Sequence, residues 1–301
     1  MFRRIKKLFA VLLVLVVIAL VVAHFQAPYL VARTNDPINK LRKFQAANSD
    51  PGEAGLDFDS FSIETNDKLS LKGYFIPKRQ AKGCIIMLHG IRAYKEHFIQ
   101  IAPRVHEKGY SLVLLDNRAH GQSDGDYCTF GVKEKEDVST LIGYLISQGV
   151  KEPIGVWGQS LGGAIALQSM AHDGRISFGI VESTFTKFSI IADDYFVRFA
   201  PFVPKWYRSY IIGRGARLAN FDPVDAQPIV SAGQITQPIF LVHGSIDNRI
   251  HVKYASELYN AIPAETKELD IIEGANHVNV WQKGGDAYFK RVFDFLDKII
   301  D

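Results

Sequence analysis

The stretch Val156-Trp157-Gly158-Gln159-Ser160-Leu161-Gly162-Gly163-Ala164 (VWGQSLGGA) decides how the chain is read. An apolar run ends at Trp157 and a helical run follows over 161–170, with one serine between glycines at the join, in the pattern G-x-S-x-G. The glycines have a steric task there. A residue on a sharp strand-to-helix turn sits in strained backbone geometry, and side chains at the flanking positions would clash. The turn pushes the hydroxyl of Ser160 outward. The amide that follows lies at a helix N-terminus, where unpaired N–H groups face an anion. Five residues alone are a weak sign; the strand before and the helix after give them weight.

The same rhythm runs outward from this point. Short apolar runs recur at 84–88, 112–115, 154–157, 178–181, 239–242 and 269–272, with helical patterns between most of them. The clearest is Val138, Leu141, Ile142, Leu145 and Ile146, one apolar stripe after an acidic first turn. Continuously apolar strands alternating with helices predict an α/β fold: a mostly parallel, twisted sheet with helices on both faces. Right-handed crossovers then bring the carboxyl ends of the strands to one edge, where chemistry collects. Ahead of this pattern, Phe58, Phe61 and Ile63 predict one strand, Asn66-Asp67 a turn, and Leu69 to Ile76 a second strand paired as a hairpin.

Segment 183–220 breaks the rhythm. It holds Tyr195, Phe196, Phe199, Phe202, Trp206, Tyr207 and Tyr210, with prolines at 201 and 204. It is too long for one crossover helix and too aromatic for a linker. A small helical cap over the strand edge, at about 184–220, is expected, with an extra helix packed on the core as the alternative. Tyr195, Phe199 and Trp206 are the candidate substrate-pocket residues.

At the N-terminus, Arg3, Arg4, Lys6 and Lys7 precede an uninterrupted apolar run over 8–23. With Ile5 and Phe25 the segment reaches the roughly 17–25 residues a membrane-crossing helix needs, beyond the roughly 7–15 of a signal-peptide core. An uncleaved transmembrane anchor over 1–25 is the expectation. Val21-Val22-Ala23 offers small residues for cleavage, so a removed signal peptide is the alternative. The basic flank places the N-terminus in the cytoplasm and the rest of the chain on the other side, secreted or periplasmic if cleaved. A juxtamembrane spacer over 26–56, with some helix around 37–47, precedes the main domain over 57–301.

The chain is 47% hydrophobic with a net charge of +3, the composition of a globular protein with a real core and no nucleic-acid partner. Cys84 and Cys128 form no metal-ligand spacing, and no metal or cofactor is expected. A bond between the two has no argument in the sequence, and nothing there sets an oligomeric state.

A serine hydroxyl needs a base, and the base an orienting acid. Of nine histidines, His277 lies in a glycine-containing loop just past the last predicted strand. His89 and His243 each end a strand before a glycine and read as turn-shaping residues, with His120 a weaker contender. For the acid, Asp247 follows the strand at 239–242, while Asp222 and Asp225 precede it and Asp270 lies inside a strand. Glu273 is the reserve. The oxyanion needs two donors. The amide of Leu161 is one, and the loop His89-Gly90-Ile91-Arg92 offers the other, with the amide of Ile91 preferred. Arg92 reads first as a solvated loop arginine.

From about Phe58 to the end the chain resembles the α/β-hydrolase superfamily, in the order Ser160, Asp247, His277. His89-Gly90 is similar to the family's oxyanion loop. The segment from Asp116 to Gly125 (DNRAHGQSDG) is similar to its D-x-R-G-H-G-x-S-x-G, with Ala119 in place of a glycine. His243-Gly244-Ser245-Ile246-Asp247 is similar to its acid loop. The closest likeness is to monoglyceride lipases, lysophospholipases and serine aminopeptidase-like proteins. The resemblance implies a serine hydrolase that cleaves a carboxylic ester, lipid-like or a small acyl ester, through an acyl-enzyme on Ser160, and the N-terminal apolar run would tether it to a membrane. A peptidase or amidase with the same residues is the runner-up, and a non-catalytic binding scaffold is the reading from another class.

Overall fold

The computed structural model describes residues 2–35 and 50–300, so the helix expected around 37–47 lies outside the described residues. The strands are β1 (Asp59–Glu64), β2 (Ser70–Ile76), β3 (Gly83–Leu88), β4 (Tyr110–Leu115), β5 (Ile154–Gln159), β6 (Ile176–Glu182), β7 (Ile239–Gly244) and β8 (Lys267–Ile272). They form one sheet in the order β1-β2-β4-β3-β5-β6-β7-β8. β1 and β2 are an antiparallel hairpin, β2 joins β4 antiparallel, and every later pairing is parallel.

The apolar runs form central strands because both of their faces are covered. Ile86, Leu88 and Val156 belong to one apolar cluster, while their neighbours Ile85, Met87 and Trp157 belong to a second on the opposite face. The first face carries α3 (Glu134–Ser147), α4 (Leu161–His172), α7 (Pro228–Ala232) and α8 (Lys253–Ala261); the second carries α2 (Ala102–Glu107) and α9 (Val280–Ile300). In α3 the stripe Val138, Leu141, Ile142 and Leu145 is buried, and Ile146 at its edge is 48% exposed. Cys84 and Cys128 are both free and buried.

Two further helices, α5 (Phe188–Phe199) and α6 (Lys205–Leu218), lie between β6 and β7. Each buries only a few apolar side chains, among them Phe188, Ile191, Ile211 and Ile212. An ion pair at 2.6 Å joins Arg208 of α6 to Asp193 of α5.

The N-terminal helix α1 (Phe2–Ala32) runs seven residues past the boundary at 25 that hydropathy suggests. Its last two turns belong to the folded body. Pro28 is buried, Ala32 is 1% exposed, and a β-carbon on Gly215 of α6 would lie 2.6 Å from Val31 Cβ. Beyond the helix, Thr34 Oγ1 donates to the Ala119 carbonyl at 2.8 Å and Arg33 bridges to Tyr127. These residues are neither long apolar runs nor helix signals, so hydropathy alone ends the segment too early. The part from Ile5 to Ala32 is long and apolar enough to cross a membrane.

Candidate active site

Ser160 stands between the end of β5 and the start of α4, with φ 57° and ψ −114°. An L-residue pays for such a backbone only where the surroundings over-determine it. Here they do. The Ser160 amide donates to the Glu182 carbonyl at 2.8 Å, and Thr184 Oγ1 donates to the Ser160 carbonyl at 2.8 Å. The flanking glycines are required by contact. A β-carbon on Gly158 would lie 2.1 Å from the Gly162 carbonyl oxygen, and one on Gly162 would lie 1.7 Å from that of Leu88. The elbow therefore holds α4 directly over the ends of β3 and β5.

His277 follows β8, and its Nε2 lies 3.0 Å from Ser160 Oγ. Its other nitrogen, Nδ1, lies 2.7 Å from Asp247 Oδ2. A carboxylate accepts only, so Nδ1 carries the proton and Nε2 is left to accept from the serine hydroxyl. All three residues are nearly buried, with 8% exposure at Ser160 and His277 and 6% at Asp247. Asp247 Oδ1 accepts from the amides of Arg249 at 2.8 Å and Ile250 at 2.9 Å, while His243 Nε2 lies 3.3 Å from Oδ2. Burial by itself would raise this carboxyl's pKa. The hydrogen bonds from His243, His277 and the Ile250 amide outweigh burial and hold it well below the usual carboxylate range. An ionised, immobile acid thus faces the imidazole.

Gly90, at the end of β3, comes up against the serine: a β-carbon on it would lie 3.4 Å from Ser160 Cβ. The adjoining amide of Ile91 and the first amide of α4, that of Leu161, are the backbone donors expected for an oxyanion. The loop is held from behind. His89 Nε2 accepts from the Asn117 amide at 3.2 Å, which leaves Nδ1 to donate to the Gly90 carbonyl at 2.8 Å. A buried ion pair of 2.8 Å between Lys95 and Asp116 joins this loop to the one after β4.

A family model described as serine aminopeptidase, S33, matches residues 79–212, which include the His89-Gly90 loop and the elbow and stop short of Asp247 and His277. The chain is 26% identical to YqkD of Bacillus subtilis over 82% of this chain and 81% of that protein. The structure of the Pyrococcus furiosus esterase Pf2001 superposes with a TM-score of 0.71 at 25% identity, covering 84% of this chain and 95% of that one. A membrane phospholipase A structure shares the fold at 17% identity and TM-score 0.60, over 97% of this chain and 99% of that one.

The chain belongs to the α/β-hydrolase superfamily.

Not every candidate residue of this hydrolase reaches the site. His120 is buried, with Nδ1 2.9 Å from the Arg118 carbonyl and its ring edge-on to His89, while the imidazole on Ser160 is that of His277. Glu273 is exposed, and Asp270 pairs with Arg291. Tyr195 lines a cleft of about 420 Å³ beside Asp247, together with Arg198, Asn248, Arg249 and Tyr254. Phe199 and Trp206 do not line it: they are 74% and 73% exposed, because they stand where α5 ends and α6 begins, outside the packed faces of both helices.

One buried network of the hydrolase escaped the sequence reading. The Glu182 carboxylate, at the end of β6, accepts from Trp157 Nε1 at 2.8 Å, from Trp281 Nε1, from Gln159 Nε2 and from the Tyr288 hydroxyl. Burial raises its pKa, and these hydrogen bonds oppose the rise. Its partners sit up to 106 residues away, so only the position of an acid directly after an apolar run hinted at it.

Proposed function

We propose that the protein is a membrane-tethered serine hydrolase that cleaves carboxylic esters. The single observation that carries this is the continuous line from Ser160 Oγ through His277, at 3.0 Å and 2.7 Å, to Asp247. Ser160 attacks the acyl carbonyl as His277 Nε2 takes the hydroxyl proton, forming a tetrahedral oxyanion held by the amides of Leu161 and Ile91. The carbon–oxygen bond of the ester breaks, His277 gives the proton to the departing alcohol, and the acyl group stays on Ser160. Water, deprotonated by the same imidazole, then releases the acid and restores the serine. Asp247 keeps the imidazole in its Nδ1–H form and stabilises its cation.

The 25% identity to an esterase over most of the domain supports an ester as the bond. The apolar helix before the domain supports tethering, with the basic flank in the cytoplasm and the hydrolase domain opposite. Amide hydrolysis on small peptides is the second reading, favoured by the description of the matching family model. A fluorophosphonate probe tests the mechanism: Ser160→Ala should lose all labelling, and equal labelling of the variant overturns the proposal. Acyl esters of graded chain length, run against aminoacyl anilides, decide between ester and amide.

A further inference from the structure

Helices α1 and α6 lie side by side and run in the same direction. His24 of α1 meets the early part of α6: its Nδ1 is 2.9 Å from the Tyr207 hydroxyl, and its ring stacks on Tyr210 at 5.7 Å. Later residues of α1 meet the later part, where Gly215 faces Pro28 and Val31. The start of α6 therefore points back along α1, towards the apolar run over 8–23. α5 is tied to α6 through Asp193–Arg208, and the turn between them brings the end of α5 to that same pole.

That pole carries three large apolar side chains that stand mostly exposed. Phe199 is 74% exposed, Phe202 84% and Trp206 73%. Trp206 is one residue before Tyr207, whose partner His24 directly follows the apolar run. Trp206 thus stands level with the end of the apolar run, and Phe199 and Phe202 belong to the turn that leads into it. Tryptophan gathers at this depth of a bilayer because its apolar ring and its polar N–H are both satisfied there, and phenylalanine rings beside it add apolar area to an interfacial contact. Exposed Lys205 flanks them, and a basic side chain suits the phosphates of a membrane surface.

We infer that Phe199, Phe202 and Trp206 form a second membrane contact, inserted into the interfacial layer of the bilayer that α1 crosses. This rests on the tethered reading above. It fixes the tilt of the domain as well as its location. It also places α5, which supplies Tyr195 and Arg198 to the cleft beside Asp247, with its end among lipid headgroups. Two attachments, a spanning helix docked on α6 and a wedge of rings beside it, hold an orientation that the helix alone would leave free to tilt.

Tryptophan emission tests this with the full chain in phosphatidylcholine nanodiscs. Trp157 is 0% and Trp281 6% exposed, so Trp206 is the reporter. Acyl chains brominated near the headgroup should quench part of the emission, and acrylamide in the water should not reach that part. Trp206→Phe should remove the bromine-sensitive component. Emission untouched by brominated lipid and quenched by acrylamide overturns the inference. An alkaline carbonate wash of the same protein in native membranes separates the two readings. Protein retained but unquenched refutes the wedge alone, whereas protein released into solution refutes the tether and the wedge with it.

Discussion

Gly90 and Ser160 stand close together: a β-carbon added to Gly90 would lie 3.4 Å from the serine Cβ and 3.9 Å from its Oγ. In the proposed mechanism an acyl oxygen bound by the Ile91 amide needs room beside Gly90. Gly90→Ala should fold with an unchanged melting temperature, since its nearest contact is the ordinary distance of 3.4 Å. Its kcat/KM on a short acyl ester should fall by about 100-fold, the effect of spoiling one oxyanion donor. Unaltered turnover would move the oxyanion site elsewhere.

The imidazole of His277 is the proposed proton carrier, and His120 packs on His89 instead. His277→Ala should lower kcat by about 10⁴-fold or more, with His120→Ala keeping most activity. Asp247→Asn should cost about 10⁴-fold by inverting the tautomer the serine needs. Steady-state kinetics of the three variants, with circular dichroism to verify the fold, check this.

The elbow glycines are set by contact. Gly162→Ala places a methyl within 1.7 Å of the Leu88 carbonyl oxygen, where only backbone movement can relieve it. A loss of about 3 kcal/mol or more is expected, together with activity. Gly174→Ala is the control, because nothing lies within 4 Å of its added carbon. Urea denaturation of both reads the difference.

Ala119 stands where the superfamily's pattern has glycine, and its φ is 60°. A β-carbon is strained in that region by about 1 kcal/mol. Ala119→Gly should therefore raise the melting temperature by a few degrees, offset in part by the freer unfolded chain. A fall would show that the buried methyl contributes more than the strain costs.

Two carboxylates outside the site contribute to the acid limit. The Arg175 hydrogen bond lowers the pKa of Asp173 to about 2, and that of Arg118 does the same for Asp67. Both folded values lie below the unfolded value of about 3.9. Their stabilisation is therefore complete above about pH 5 and lost as pH falls towards 2. Asp173→Asn should lower the melting temperature at pH 6 and lessen its drop between pH 4 and pH 2. An unchanged profile would count against the Arg175 contact.

The sheet was readable because each central strand is apolar on both faces, so runs such as Cys84 to Leu88 stand out without periodicity. Ser160, His277 and Asp247 were readable as neighbours because each follows such a run, and a parallel sheet gathers those ends. What escaped depends on pairings between distant residues. Glu182 meets Tyr288 and Trp281, His243 doubles the support of Asp247, and α1 continues past Phe25 because Val31 and Pro28 find Gly215. No local pattern encodes those partners. Phe199 and Trp206 misled for a related reason: aromatic content signals burial, and the turn between α5 and α6 leaves both rings uncovered.

The splice between α1 and the body sets an order of assembly. Residues 24–35 are made early, yet their partners are Ala119, Tyr127, Tyr207 and Gly215, about 80 to 190 positions later. Contacts closing loops that long form late in folding. The emerging chain thus begins at a helix that must wait, its Pro28 and Val31 exposed, until α6 has been synthesised. Truncated chains ending before Lys205 would leave that waiting surface bare, open to chaperones and proteases.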